Sequence, residues 1–286
     1  MNLTGQTQSS EQEQLPDFER PPVTETVFGV QFEPLTRFNV ATLGVYWNSL
    51  GKEEWPDPEE APPIPIQFEE KDKAGQLHLA FRLSHFGPSV PQESRLRIRH
   101  KSRERMIQVQ SSRFLYNWVG HGSDSSPKYI HFHPARDEFL ENLEKFKQFI
   151  EVEQLGEFLP NQWELTYVNH IHKGTIWHSP ADWPSVLELF GNKCNCIPNG
   201  ALERFKGVWS FGINSVQPAR LHINVEHKTN RQDPSKEVLE VRLTARGSIN
   251  KHVSLTEGLD IGHEAIVRGF TAITSEKAHE YWGRKQ

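Results

Sequence analysis

The chain's 286 residues are 36% apolar, 24% charged and 10% aromatic, enough for one large or two modest hydrophobic cores, which excludes a fibre and a mostly disordered chain. With 32 basic against 37 acidic residues, a net charge of −5 and a mean hydropathy of −0.64, a membrane span is excluded, and net charge disfavours nucleic-acid binding, which only a local patch could support. Two cysteines one residue apart, Cys194 and Cys196, and the lack of a charged-then-apolar leader point to a reducing, cytoplasmic location and not to a disulfide framework.

Residues 1–20 are read as a disordered tail, because the first fourteen are mostly Gln, Ser, Thr, Glu and Asn with almost nothing to bury, although order is expected to set in near Leu15. Val27, Phe28, Val30 and Phe32 then predict a strand ended by Pro34. Phe38, Leu43, Tyr46, Trp47 and Leu50 fall near helical spacing and predict a short helix over 36–50. Residues 51–65 hold five prolines and five acids, the composition of a solvated loop. Beyond them, Leu77, Leu79, Phe81 and Leu83 take every second position, as do Leu96 with Ile98 and Ile107 with Val109, leading into Phe114 to Trp118. Such alternation suits an antiparallel sheet with one face packed and one wet. From Pro134, Phe139, Leu143, Phe146 and Ile150 form the stripe of an amphipathic helix.

After Pro160 the same order returns in shorter form. Leu165, Tyr167 and Ile171 predict a strand, Trp183 to Phe190 a short helix, and 191–200 a loop. Three strands follow around Trp209–Ile213, Leu221–Val225 and Leu239–Leu243. A last helix starts near Asp260 and carries Ile261, Ala265, Ile266, Phe270 and Ile273, and Ser275 caps a short turn ending at Trp282. The fold class expected is α+β, with two tandem β-α-β(3-4)-α halves at 21–155 and 156–286 whose antiparallel sheets pack on long helices. This order is similar to TBP-like and helix-grip folds. The alternative is a single α+β domain whose strands happen to recur.

Chemistry is harder to locate. His131/His133 and His170/His172 are both His-x-His, which on a strand puts two imidazoles on one face, so His170 and His172 form the alternative metal site. No carboxylate stands at ligand spacing from either pair, and no metal or organic cofactor is expected. Cys194 and Cys196 lack a second pair and read as loop thiols. A phosphate-binding Gly-rich loop, a dinucleotide fingerprint and a Gly-x-Ser-x-Gly elbow are all absent, and His263-Glu264 meets Val267 where a zinc protease needs His. The sequence therefore leans away from an enzyme. Arg95, Arg97, Arg99, Lys101, Arg103 and Arg105 alternate and, on one continuous strand, would make a basic stripe. Without interleaved aromatic residues it suits a charge-protected sheet face better than nucleic acid. Glu164, Thr166 and His170 share a strand face, whereas Asn169 falls on the apolar side, where it needs hydrogen-bond partners.

Several phrases carry a resemblance: Arg20-Pro21-Pro22-Val23, Gly29-Val30-Gln31-Phe32-Glu33-Pro34-Leu35, Gly44-Val45-Tyr46-Trp47, Glu164-Leu165-Thr166-Tyr167-Val168-Asn169-His170-Ile171, and an ending with His263-Glu264-Ala265-Ile266-Val267, His279-Glu280 and Trp282-Gly283-Arg284. Together they resemble a sporadically distributed family of bacterial proteins of unassigned function. The resemblance implies no catalytic residues, and a patchy distribution suits exchanged genes such as those for immunity or toxin neutralisation.

The function expected is thus a non-catalytic binding protein, an interaction or neutralising partner of another bacterial protein. Its surface would be the strand faces bearing Arg95, Arg97 and Arg99 in one half and Arg220, His222, Asn224, Arg242 and Thr244 in the other. The alternative is an enzyme or small-ligand binder with its site in the groove between sheet and helices, using Glu164 and His170 as acid or base.

Overall fold

Alternation of apolar and polar side chains gives each strand two unlike faces, and the helices cover the apolar one. The computed structural model describes residues 14–71, 77–81, 94–120, 129–188, 200, 202–213, 218–229, 233 and 236–285. The protein is mixed α+β. Its strands are β1 (Val23–Phe32), β2 (Asp57–Ala61), β3 (Gln67–Lys71), β4 (Leu77–Phe81), β5 (Arg95–Arg99), β6 (Arg105–Gln110), β7 (Arg113–Val119), β8 (Pro160–His172), β9 (Lys206–Gly212), β10 (Ala219–Thr229) and β11 (Glu237–Ser248). Among the described residues, nine of them form one antiparallel sheet in the order β2-β5-β6-β7-β1-β8-β11-β10-β9, while β3 and β4 pair as a separate hairpin. Four α-helices are described: α1 (Val40–Ser49), α2 (Phe132–Val152), α3 (Leu255–Ile273) and α4 (Glu276–Trp282).

The stripe on α2 is buried as its spacing predicts. Phe139 stacks on Phe28 of β1 at 5.8 Å between ring centroids, and Phe146 stacks on Phe114 of β7 at 5.1 Å. Each such ring removed from water stabilises the fold by about 1.5–3 kcal/mol. Ile266, Phe270 and Ile273 of α3 are buried too, over β8, β10 and β11. Here the approach is unusually close, because Trp163 of β8 fills the space under α3. A Cβ on Gly258 would stand 2.2 Å from Trp163 Cδ1 and one on Gly262 2.8 Å from Cζ3, so glycines one turn apart let the helix ride on the indole. Ser254 and Ser275 cap α3 and α4 by accepting from the amides of Glu257 and Ala278. The start of α2 differs: His131 has φ 61°, a left-handed conformation costly for a residue with a Cβ, and its side chain caps nothing.

Several expectations need correction. The sheets expected for two halves are one sheet, joined where β1 pairs with β8. The solvated loop at 51–65 contains β2, an edge strand whose Asp57, Pro58, Glu59 and Glu60 suit an unpaired border. Residues 14–20, assigned to the tail, are packed instead: Phe18 is buried against Phe270 and Trp282, and the amides of Glu19 and Arg20 donate to Gly283 and Trp282 carbonyls. Residues 1–13 lie outside the described residues. The short helix expected from Trp183 is a 3-10 turn at Pro180–Ser185. Lastly, the basic stripe is not one strand. β5 ends at Arg99, the chain turns through His100–Glu104, and Arg105 emerges on the opposite face, where its Nε donates to Glu138 of α2 at 2.7 Å.

Candidate functional site

The face of the sheet away from the helices carries Arg95, Arg97 and Arg99, Arg113, Glu164, Thr166 and His170, Arg242, Thr244 and Arg246, and Arg220, His222 and Asn224. It is not the open, wet face that alternation suggests, since Gln108, Asn117 and Thr166 are buried on it. Residues 62–71 cross it as a strap, pinned by glutamines from three strands. Gln110 exchanges two hydrogen bonds of 2.9 Å with the backbone of Ile64, and Gln31 two of 3.0 Å with that of Gln67. The amide of Glu69 donates to Gln162 Oε1 at 3.2 Å.

The strap delivers a carboxylate to the sheet. Glu69, fully buried, lies 2.7 Å from His222 Nε2, 3.4 Å from Arg220 Nη1 and 3.9 Å from Arg246 Nε. Glu164 pairs with Arg113 at 3.0 Å and Arg246 at 3.6 Å, and burial pulls the Arg113 guanidinium below its usual range. A carboxylate taken out of water is tolerable only among such partners. Arg220 and His222, expected on the binding surface, are therefore engaged with the chain's own strap. Arg95 donates to Gln108 at 2.8 Å, and Arg97 pairs with Glu59 of β2 at 3.5 Å.

One corner of this face remains accessible. Around Glu240 of β11 gather His170 Nε2 at 3.2 Å, Lys228 Nζ at 2.8 Å and Arg242 Nη2 at 3.5 Å, with Lys228 and Arg242 about two-fifths exposed. Burial alone would raise the Glu240 carboxyl, but the hydrogen bonds from His170 and Lys228 and the charge of Arg242 outweigh it and bring it down to about 2. Asn224 pairs across strands with Arg242, and its Oδ1 is buried without a hydrogen-bond partner among the described residues. Thr244 exchanges a 2.8 Å hydrogen bond with Thr166.

On the other side of the sheet, a cavity of about 570 Å³ lies between the first turn of α2 and the middle of α3, floored by β1 and β8. It is the groove expected between sheet and helices, but Glu164 and His170 are not in it. Both face the opposite side of the sheet, six residues or about 20 Å apart along β8. They form no acid–base pair. The cavity instead takes Tyr167 and Asn169 from the apolar face of β8 and His263 from α3. His263 stacks flat on Phe132 at 4.0 Å, and its Nδ1 is 3.2 Å from Tyr167 Oη. Burial, aided by His133 and Arg136, pushes the imidazole down to about 4. Asn169 meets its hydrogen-bond requirement by donating to the carbonyl of Val241 at 3.1 Å.

His170 and His172 do share a face of β8, with ring centroids 6.3 Å apart, yet the carboxylate beside His170 is held by Lys228 and Arg242 as well. His131 and His133 sit at the start of α2, not on a strand. Among the described residues, no three His, Cys, Asp or Glu side chains are placed to hold a metal ion, and Cys194 and Cys196 lie outside them. Sequence reasoning missed Glu69, Lys228, Glu240 and His263. Glu69 is one acid in the run Glu69-Glu70-Lys71-Asp72, and nothing local marks it as the buried one. Among the described residues no helix is long and apolar enough to cross a membrane. No family model matches the chain, and no curated protein matches it.

Proposed function

We propose that the protein is a non-catalytic, cytoplasmic binding protein that recognises an acidic segment of another protein through the exposed corner of its polar sheet face. The observation that carries this reading is that the most exposed groups at this corner are cationic: Lys228 and Arg242 are 42% and 40% exposed, whereas Glu240, which pairs with both, is 10% exposed and Glu226, 3.9 Å from Lys228, is 28% exposed. Beside them the buried Oδ1 of Asn224 has no hydrogen-bond partner among the described residues. Complementary charge of this kind steers association and selects the partner more than it adds affinity. A role as a neutralising partner accords with the resemblance to a sporadically distributed bacterial family.

Internal duplication belongs to this reading. β1 and β8 lie side by side at the centre, each followed by an outermost strand (β2, β9), a meander running back inward (to β7, β11) and a long helix (α2, α3). That equivalence supports two tandem β-α-β(3-4)-α halves of TBP-like or helix-grip character.

The test is co-purification from the native cell with the partner identified. A stoichiometric protein with an acidic segment should be retained by the wild type and lost from the Lys228→Glu, Arg242→Glu double variant, whose unfolding midpoint should stay within a few degrees. Retention by the double variant refutes the surface.

A further inference from the structure

We infer that the cavity between α2 and α3 is a binding site for a small, uncharged aromatic molecule that carries a hydroxyl, its rings between Phe18, Ile266 and Phe270 and its hydroxyl at His263. The walls grade from polar to apolar along α3. His263 stands at one end, Ile266 and Val267 in the middle and Phe270 at the other, two turns or about 10 Å away. At the far end Phe18 meets Phe270 edge to face at 6.1 Å, and at the near end Phe132 and His263 stack flat at 4.0 Å. A molecule touching both ends is therefore about 10 Å long, which two fused rings with one substituent satisfy, and a cavity of about 570 Å³ is in the range of small-ligand sites. Rings on the walls favour a flat aromatic guest, which they meet face or edge on.

Ions of either sign are poorly served. Among the described residues that line the cavity there is neither Lys nor Arg, and the one acid is Asp17, so an anion would meet a carboxylate and no fixed cation. A cation fares no better, because Asp17 Oδ2 is already paired with Lys285 Nζ at 2.9 Å. A charge taken from water into such surroundings loses its hydration and gains no partner.

Polar groups are present nonetheless, and they are neutral. His263 Nδ1 lies 3.2 Å from Tyr167 Oη, so Nε2 is the ring nitrogen that Tyr167 does not engage. Burial is the main reason that the His263 imidazole is uncharged near neutral pH, and burial likewise keeps the Tyr167 phenol undissociated. The second nitrogen of a neutral imidazole donates in one tautomer and accepts in the other. A hydroxyl can answer either, whereas an ether or a bare ring cannot.

Titration of the full chain with 2-naphthol, 2-naphthoate, 2-naphthylmethylammonium and 2-methylnaphthalene tests the site, at about pH 8, where an ordinary imidazole is uncharged. The expected result is one naphthol per chain with a Kd of about 100 µM or tighter, and both ions about ten-fold weaker or worse. Methylnaphthalene, which lacks the hydrogen bond, should be weaker by about three- to ten-fold. Val267→Phe, which fills the middle of the cavity, should weaken naphthol about ten-fold while the unfolding midpoint stays near that of the wild type. As a reading independent of that variant, naphthol should move the His263 ring-nitrogen resonances of the wild type further than methylnaphthalene does. No binding of naphthol at millimolar concentration, equal or tighter binding of either ion, His263 nitrogens that naphthol leaves in place, or full affinity in a folded Val267→Phe chain would each overturn the assignment.

Discussion

His263 offers a direct check on the electrostatics of the helix side. Its ordinary value is 6.5, and burial with His133 and Arg136 nearby brings it to about 4 in the folded protein. As the pH falls through 6.5 the unfolded chain takes up a proton at this position and the folded chain does not, so the unfolded state binds more protons throughout that window. Stability from this group is thus present above about pH 6.5, is lost progressively toward pH 4, and levels off below. At ~1.4 kcal/mol per pH unit the gap amounts to about 3 kcal/mol. Urea unfolding of the wild type and of His263→Gln, at steps between about pH 7 and pH 4, isolates it, because every other titrating group is common to both curves. The stability difference between the two proteins should move by about 3 kcal/mol in favour of the variant across that window. Parallel curves would refute the claim that the folded chain keeps this imidazole neutral.

Three further outcomes follow from the packing. Gly258→Ala places a methyl group 2.2 Å from Trp163, and an overpacking cost of about 2–3 kcal/mol less ~1 for better helix propensity leaves a net loss of about 1–2. In a Trp163→Ala background, which removes Cγ, Cδ1 and Nε1 together, the same change should become neutral or stabilising, and equal losses in both backgrounds in denaturant titrations would contradict the close-approach argument. Glu69→Ala strips the counter-charge from Arg220 and Arg246 and the hydrogen-bond partner from His222, so the strap should detach and become sensitive to limited proteolysis within 62–71. Unchanged protection would show that the glutamine hydrogen bonds alone pin it. Glu240, brought from 4.5 to about 2, stabilises the fold by about 3 kcal/mol above pH 4.5, and this is lost as the pH falls toward 2. Glu240→Gln should flatten the acid limb of the stability curve, and an unaltered limb would mean that His170, Lys228 and Arg242 do not hold that carboxylate ionised.

The candidate surfaces were only partly legible before folding. Arg242, Asn224 and His170 could be singled out because alternation assigns them to the polar side of their strands, and that assignment is local. Glu240, the partner of His170 and Arg242, could not, since its role depends on β8, β10 and β11 lying side by side. The pairing of Glu164 with His170 as acid and base failed on distance: a shared face says nothing about six residues of rise. Likewise the run from Arg95 to Arg105 alternates perfectly in sequence, yet the turn at His100–Glu104 divides it between two faces.

By itself the sequence determined what short-range periodicity can encode. The stripe of Phe139, Leu143, Phe146 and Ile150 and the two unlike faces of β8, β10 and β11 follow from side-chain spacing, because the backbone repeat sets which residues share a face, and the cap at Ser275 follows from its residue type, whereas α3 begins at Leu255 behind Ser254 and not near Asp260. Only the tertiary structure decided what meets each face. That β1 and β8 join everything into one sheet, that a strap carries Glu69 across 153 residues to His222, and that His263 closes a cavity against Phe132 are matters of long-range docking. Such contacts depend on the shape and charge of surfaces that exist only after the strands and helices have packed, and no local pattern records them.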